Sequence, residues 1–365
     1  MSDLHAYRAP WWLPGGHLQT IFPLARKAPL PNYRRERWET PDGDFIELDW
    51  LDPAGSVITA QGVPATPEAT PAHLECAPVL VLFHGLEGSS RSHYARSLMQ
   101  AAGALGWRGV VPHFRGCSGT PNRLPRAYHS GDSEEIDWIL RRLQQIAGGA
   151  PVFAAGVSLG GNALLKWLGE RGSAAQSVVE AAAAICAPLD LMVSGHALAR
   201  GFNRIYTRHF LVTLRDKALA KCERHPGHFD AARVASARTL AEFDDAYTAP
   251  AHGFAGIEDY WRRASARPWL GGIDVPTLVL NAANDPFVPA RALPDAQALP
   301  PTVRFECPDH GGHVGFLAGA WPGSQDWLAA RVLGHFERAR RGGHTASGAH
   351  PSRSGHHRWQ SRQRQ

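Results

Sequence analysis

The stretch Pro151-Val152-Phe153-Ala154-Ala155-Gly156-Val157-Ser158-Leu159-Gly160-Gly161-Asn162 decides how the rest of the chain is read. Pro151 to Val157 is a short apolar run, the pattern of a strand buried on both faces. Asn162 to Gly169 reads as a helix. Between them Gly156, Ser158 and Gly160 form a G-x-S-x-G turn. A serine on so sharp a strand-to-helix turn stands clear of the sheet. Side chains two residues to either side would strike the strand or the helix, and glycines at 156 and 160 remove that clash. The turn also aims the Leu159 N–H at a reacting carbonyl and sets the serine at a helix N-terminus, which favours developing negative charge. The competing reading is a glycine-rich turn with a bystander serine; the strand before and the helix after favour a nucleophile. The same residues match neither a phosphate loop, which ends in Gly-Lys-Ser/Thr, nor G-x-G-x-x-G.

A serine hydroxyl is a weak nucleophile without a base, and the base needs a third group to orient it. For this kind of turn the chain order is serine, acid, histidine. The apolar run Val275 to Asn281 leads into Asn284-Asp285-Pro286, and Asp285 is the expected acid. Pro286 forces an extended residue before it, which suits a carboxylate held off a strand end. A turn-forming role is the alternative for Asp285, with Asp274 and Asp295 as rival acids. The next run, Thr302 to Cys307, leads into Pro308-Asp309-His310-Gly311-Gly312-His313. His313 is the expected base, because two glycines let its loop approach the serine; His310 reads as a loop residue. H-x-x-H without a helix or a third ligand is weak support for a metal, so neither metal nor cofactor is expected.

A second oxyanion donor belongs in the loop after the early buried run Pro78 to Phe83, which reads His84-Gly85-Leu86-Glu87-Gly88-Ser89-Ser90. The Leu86 N–H is the expected donor. Gly85 is expected to permit a sharp turn, and His84 to hold the loop by local hydrogen bonds. Cys117, in Arg115-Gly116-Cys117-Ser118-Gly119, has no assigned base and reads as a packed thiol.

Outward from these loops, strands and helices alternate, which implies an α/β chain with a mostly parallel sheet covered on both faces. Residues 1–34 read as an N-terminal arm. Residues 35–188 and 273–340 form the core, opened by a hairpin that turns at Pro41-Asp42-Gly43. In the segment Asp132 to Ile146, Ile136, Ile139, Leu140 and Leu143 share a helical face, with Asp132 as N-cap. The segment 189–272 breaks the rhythm and reads as a helical cap over the sheet's C-terminal edge, where such sheets bind ligands. Its Phe202, Phe210, Phe243, Phe254, Trp261 and Trp269 suggest an apolar pocket, or ordinary cap core. A Pro-rich insertion covers 53–77. Residues 341–365 read as a disordered basic tail, and the closing helix is expected to end at Arg340.

The 365 residues are 44% hydrophobic and 19% charged, enough apolar content for a large core. The formal charge of +5 equals the five arginines of the tail (Arg341, Arg353, Arg358, Arg362 and Arg364), so the body is formally neutral. Those arginines suit salt-sensitive, non-specific attraction to a polyanion, with no nucleic-acid motif beside them. Five scattered cysteines without a CxxC pair indicate neither a disulfide framework nor zinc. No apolar run reaches bilayer length and the first ten residues lack a signal pattern, so a cytoplasmic protein is expected.

The chain resembles the α/β-hydrolase superfamily and, more narrowly, the YheT-like family of predicted esterases. The resemblance spans residues 10 to 338 and rests on ordered motifs. These are Trp12-Leu13-Pro14-Gly15-Gly16-His17-Leu18-Gln19-Thr20, His84 to Ser90, Phe114 to Gly119, the elbow, Phe243-Asp244-Asp245, Thr248-Ala249-Pro250 with Gly253-Phe254, Asn284 to Phe287, and His310 to Phe316. It implies the α/β-hydrolase fold, a charge-relay triad of Ser158, Asp285 and His313, and hydrolysis of carboxylic esters, with an oxyanion hole of the Leu86 and Leu159 N–H groups. The Pro-rich insertion and the basic tail depart from the family pattern. Asp244 and Asp245 read as structural. His17 and Gln19 either line the pocket or belong to an arm packed across the cap. The expected substrate is a small ester or lipid-like molecule with a short- to medium-chain acyl group. Acyl transfer to an alcohol and a non-catalytic binding role are the alternatives; the oligomeric state is not written in the sequence.

Overall fold

The computed structural model describes residues 6–26, 28–52 and 77–346, the last four of these by backbone only. The Pro-rich stretch 53–76 and residues 347–365 lie outside the described residues.

A helix, α1 (Gly16–Ala25), precedes the hairpin β1 (Arg34–Glu39) and β2 (Phe45–Leu51). The hairpin closes on Thr40 and Asp44, whose N–H and carbonyl bond at 2.9 Å around the expected Pro41-Asp42-Gly43 turn. Then follow β3 (Val79–Phe83), α2 (His93–Ala104), β4 (Arg108–His113), α3 (Ser133–Ala147), β5 (Val152–Val157), α4 (Leu159–Arg171) and β6 (Ala181–Ile185). Asp132 caps α3 as expected, its carboxylate accepting the Glu135 N–H. The helices α5 (Leu191–Leu198), α6 (Arg204–Arg224), α7 (Ala231–Ser236) and α8 (Ile257–Ala264) separate β6 from β7 (Thr277–Leu280). The chain closes with β8 (Val303–Glu306) and α9 (Asp326–Ala346). Among the described residues no helix is long and apolar enough to cross a membrane.

The strand order is β1-β2-β4-β3-β5-β6-β7-β8, antiparallel at β1/β2 and β2/β4 and parallel elsewhere. Strands β3, β5, β6 and β7 are buried along their whole length, as parallel strands between two helix layers must be. The two-residue period of β3 feeds both layers. Val79, Val81 and Phe83 join a core with Ile136 and Leu140 of α3 and Leu164 and Trp167 of α4. Leu80 and Leu82 face the other layer, with Leu98 of α2 and Val332 and Phe336 of α9. The order reverses at β3, whose neighbours β4 and β5 run out in opposite directions. The loops after β3 and β5 therefore part at the sheet's C-terminal edge and leave a crevice.

Three details differ from expectation. Helix α4 begins at Leu159 rather than Asn162, because the Ser158 carbonyl already accepts the Asn162 N–H at 3.0 Å. The N-terminal segment carries a helix, α1. Helix α9 runs to Ala346, beyond Arg340, so the stretch expected as tail starts inside a helix.

Candidate active site

Ser158 stands at the end of β5 with φ 52° and ψ −117°, a strained conformation for a residue with a side chain. Its neighbours explain how that conformation is tolerated. A Cβ at Gly156 would lie 2.5 Å from the Gly160 carbonyl oxygen, and one at Gly160 would lie 2.5 Å from the carbonyl oxygens of both Phe83 and His84. Both glycines are thus required by backbone on the far side of the turn. Asn162 ties the elbow helix to its surroundings, an anchor the sequence did not reveal. Its amide donates to Ser130 O at 2.8 Å and Ala264 O at 2.7 Å, and its oxygen accepts the Ala266 N–H at 2.9 Å.

The Ser158 Oγ is 3.0 Å from His313 Nε2, and His313 Nδ1 is 2.8 Å from Asp285 Oδ2. The Asp285 side chain is fully buried, and its other oxygen accepts the Phe287 N–H at 2.8 Å. The three residues singled out in the sequence therefore meet in one hydrogen-bonded line. The rivals stand apart from it. Asp274 is exposed, Asp295 is exposed and caps a short turn, and His310 is an exposed loop residue.

The Leu86 and Leu159 N–H groups have no acceptor among the described residues. Leu159 is the first residue of α4, where backbone N–H groups lack helical partners. The loop carrying Leu86 is pinned from below. His84 Nδ1 bonds Gly85 O at 2.8 Å and its Nε2 accepts the Phe114 N–H at 3.1 Å, so Nδ1 carries the proton. Burial pushes the His84 pKa down to about 3 and keeps the ring neutral. Gly85 opens the expected sharp turn, its carbonyl accepting the Gly88 N–H at 2.9 Å. It is also needed for space, since a Cβ there would sit 3.2 Å from Ser158 Cβ, and the positive φ of 55° falls on Glu87. Glu87 accepts from Tyr128 at 2.8 Å and from Lys217 of α6 at 2.9 Å, clipping this loop to the helical insertion. Cys117 lies 3.7 Å from the same Lys217, and burial pushes its thiol up to about 12, so it stays protonated.

The loop that holds His313 is braced by α1. Gln19 is buried; its oxygen accepts the Gly311 N–H at 2.8 Å and the Asn284 amide at 2.9 Å, and its own amide donates to Leu13 O. The Thr20 hydroxyl accepts the His313 N–H at 2.8 Å and donates to Gly16 O at 2.7 Å. Backbones meet directly here. A Cβ at Gly16 would lie 2.0 Å from Asn284 O, and one at Gly315 would lie 1.9 Å from Gln19 O. Gln19 is therefore neither a pocket liner nor part of a strap across the cap. His17 does reach the insertion, bonding Tyr206 at 3.1 Å.

A cavity of about 870 Å³ opens over Ser158 and His313. Phe210, Phe243 and Trp261 of the insertion line it, as do Tyr206, Leu214 and Phe287. Of the other aromatics expected there, Phe254 and Trp269 line a separate cavity and Phe202 is half exposed. Asp244 accepts from Trp261 at 2.9 Å and Thr248 at 2.7 Å, and burial pushes its pKa up to about 6; Asp245 pairs with Arg233 at 2.7 Å. Both are engaged by side chains of the insertion, and Asp244 also lines the cavity. Two groups bring possible metal donors together. In His129, Asp132 and His252 both carboxylate oxygens are taken by Arg126 at 2.7 Å. In Cys186, Asp285 and His313 the last two are bonded to each other, and the buried Cys186 sulfur accepts the Val314 N–H at 3.2 Å.

A family model described as the alpha/beta hydrolase fold matches residues 78–320. The Escherichia coli protein named "Putative esterase YheT" is 42% identical over 87% of this chain and 88% of its own. The human protein Phospholipase ABHD3 is 31% identical over 90% of this chain and 77% of its own. The solved structure of Est1E from Butyrivibrio proteoclasticus, bound to ferulic acid, shares the fold at TM-score 0.51 and 12% identity, covering 85% of this chain and 99% of that one. The sheet order, the strand-to-helix elbow and these matches agree that the chain belongs to the α/β-hydrolase fold family and, within it, to the YheT-like branch.

Proposed function

We propose that the chain hydrolyses carboxylic esters through an acyl-enzyme on Ser158, with His313 as general base and acid and Asp285 as its orienting carboxylate. The single observation that carries this reading is the line from Asp285 to His313 to Ser158 at the floor of a largely apolar cavity. His313 Nε2 takes the Ser158 proton as Oγ attacks the ester carbonyl. The oxyanion accepts the Leu86 and Leu159 N–H groups, each such donor contributing about 3 kcal/mol to the transition state. Collapse of the intermediate expels the alkoxide, which leaves as the alcohol with the proton from His313. Water attacks the acyl-serine with the same histidine as base, the acid departs and Ser158 regains its proton. Asp285 holds Nδ1 as the donor and stabilises the imidazolium between steps. A cavity of about 870 Å³ with Phe210, Leu214 and Trp261 in its wall suits a short- to medium-chain acyl group. Relatives named esterase and phospholipase agree with an ester or glycerolipid substrate.

The test is turnover of p-nitrophenyl esters from acetate to decanoate by wild type and by Ser158→Ala. We expect the variant to lose ~10⁴-fold or more in kcat. Wild-type protein should also take a fluorophosphonate label that Ser158→Ala does not. Turnover that survives the substitution would overturn the assignment, as would a wild type that neither turns over nor labels.

A further inference from the structure

Helix α1 is amphipathic with its faces reversed. Gln19 and Thr20 point inward and hold the His313 loop, while Leu18 and Ile21 face outward and are exposed. A helix on a globular surface ordinarily buries its apolar stripe. Here the inward face is spent on backbone contact and hydrogen bonds, and the apolar one is left uncovered among the described residues. Other apolar side chains surround it. Trp11 is 92% exposed and Trp321 69% exposed. The Trp321 ring packs on Trp12 at 5.1 Å and on Phe22 of α1 at 5.6 Å. On the opposite side His17 packs on Phe202 at 4.5 Å, which brings exposed Phe202 and Ile205 beside α1. Leu24, at the end of the same helix, lines the cavity over Ser158.

Charge says what this surface meets. From Leu4 to Arg35 the sequence holds no acidic residue, and from Leu191 to Arg215 it holds none either. Exposed Arg8 and Arg26 flank α1 in sequence, exposed Arg200, Arg204 and Arg208 neighbour Phe202 and Ile205 in sequence, and none of the five is in an ion pair among the described residues. A second copy of the chain seated on this face would set these arginines against their own counterparts. Exposed tryptophans and aliphatic side chains with unpaired arginines near them in sequence match an anionic lipid interface, where aromatic rings sit at headgroup level and cations meet the surface charge. We propose that the outer face of α1, with the start of α6 and Trp321, docks the protein on an anionic bilayer and turns the Leu24 side of the cavity toward it. This proposal stands apart from the esterase reading, and its test is run on a protein that has no need to turn over.

The test is sedimentation of the full chain carrying Ser158→Ala with vesicles of phosphatidylcholine alone or mixed with phosphatidylglycerol. We expect partition onto the mixed vesicles, weakened by salt. Leu18→Glu with Ile21→Glu should cut that partition ~10-fold or more, and Arg204→Glu with Arg208→Glu should cut it several-fold. The Leu18/Ile21 variant should keep the parent's unfolding midpoint, showing that the fold is kept. Failure of the parent protein to bind mixed vesicles would overturn the proposal. So would unchanged binding by the Leu18/Ile21 variant, which would assign the attraction to the arginines after residue 346. A dimer in light scattering that the same variant dissociates would overturn it too, making the face a contact between copies.

Discussion

The elbow of Ser158 and the loop of His313 each fix one side chain of the same hydrogen-bonded line, by opposite means. The elbow is held by what is next to it. Gly156 and Gly160 clear the space, β5 supplies the rigid end, and β3 lies alongside with Phe83 paired to Gly156. The His313 loop has no regular structure from Cys307 to Phe316, and it is held from outside by α1, whose Thr20 is 293 residues away in sequence. The first arrangement demands unusual backbone at fixed spacing and so leaves a motif. The second also needs glycines, at 311, 312 and 315, and positive φ at Val314 and Phe316, but its brace is two ordinary polar side chains, Gln19 and Thr20, which leave no motif of their own.

The comparison can be broken at either end. The largest effect is expected from Gly160→Ala. Its Cβ would press on two carbonyl oxygens of the sheet edge at 2.5 Å, and neither can yield without moving β3. We expect a loss of about 3 kcal/mol or more, read as a shift in urea midpoint, with activity lost along with the fold. Gly315→Ala strikes the other region. Its Cβ would lie 1.9 Å from Gln19 O of peripheral α1 and 2.7 Å from Gly311 O in the His313 loop itself, so the loop must shift as α1 lifts away. We expect the protein to stay folded while kcat falls ~10²-fold through misplaced His313. Wild-type kcat in this variant would mean that α1 is not the brace. Thr20→Val removes two hydrogen bonds, from the His313 N–H and to the Gly16 carbonyl, and leaves the packing in place. It should cost about 1 kcal/mol and ~10-fold in kcat with KM held, and Thr20→Ser should restore both.

What could be read in advance follows the same division. The alternation of strands and helices, the Asp132 cap, the elbow and the order serine, acid, histidine are local or sequential features, and each is marked by residue type or spacing. The loop at His84 was legible as a turn but not in detail. Gly85 also provides space beside Ser158, and the residue with positive φ in its turn is Glu87. The segment Trp12 to Thr20 stood out as a motif, yet its role did not, because Gln19 and Thr20 have partners close to 300 residues away. Asn162 was legible only as part of a helix, although it joins the elbow to Ser130 and to the end of α8. The link from Glu87 to Lys217 depends on how a helical insertion lies on the sheet, which periodicity does not encode.

The smallest expected effect separates histidines by their surroundings. His313 has a carboxylate on one nitrogen and a hydroxyl on the other. His335, on α9, is buried and bonds backbone rather than a carboxylate, the Pro276 carbonyl at 3.3 Å; burial, with Arg331 and Arg338 nearby, pushes its pKa down to about 4. An unfolded histidine takes up a proton near pH 6.5. Between there and about pH 4 the unfolded chain holds a proton that folded His335 refuses, so the unfolded state binds more protons and stability falls as pH falls. The contribution is complete above about pH 6.5, and its slope reaches at most about 1.4 kcal/mol per pH unit. His335→Gln keeps a side-chain donor for Pro276 and removes the titration. Its unfolding free energy should match wild type within about 1 kcal/mol at neutral pH, and then fall less steeply on acidification. Equal slopes in urea titrations at successive pH values would show that folded His335 accepts its proton. It would then behave like an exposed histidine, and burial alone would not be what distinguishes it from His313.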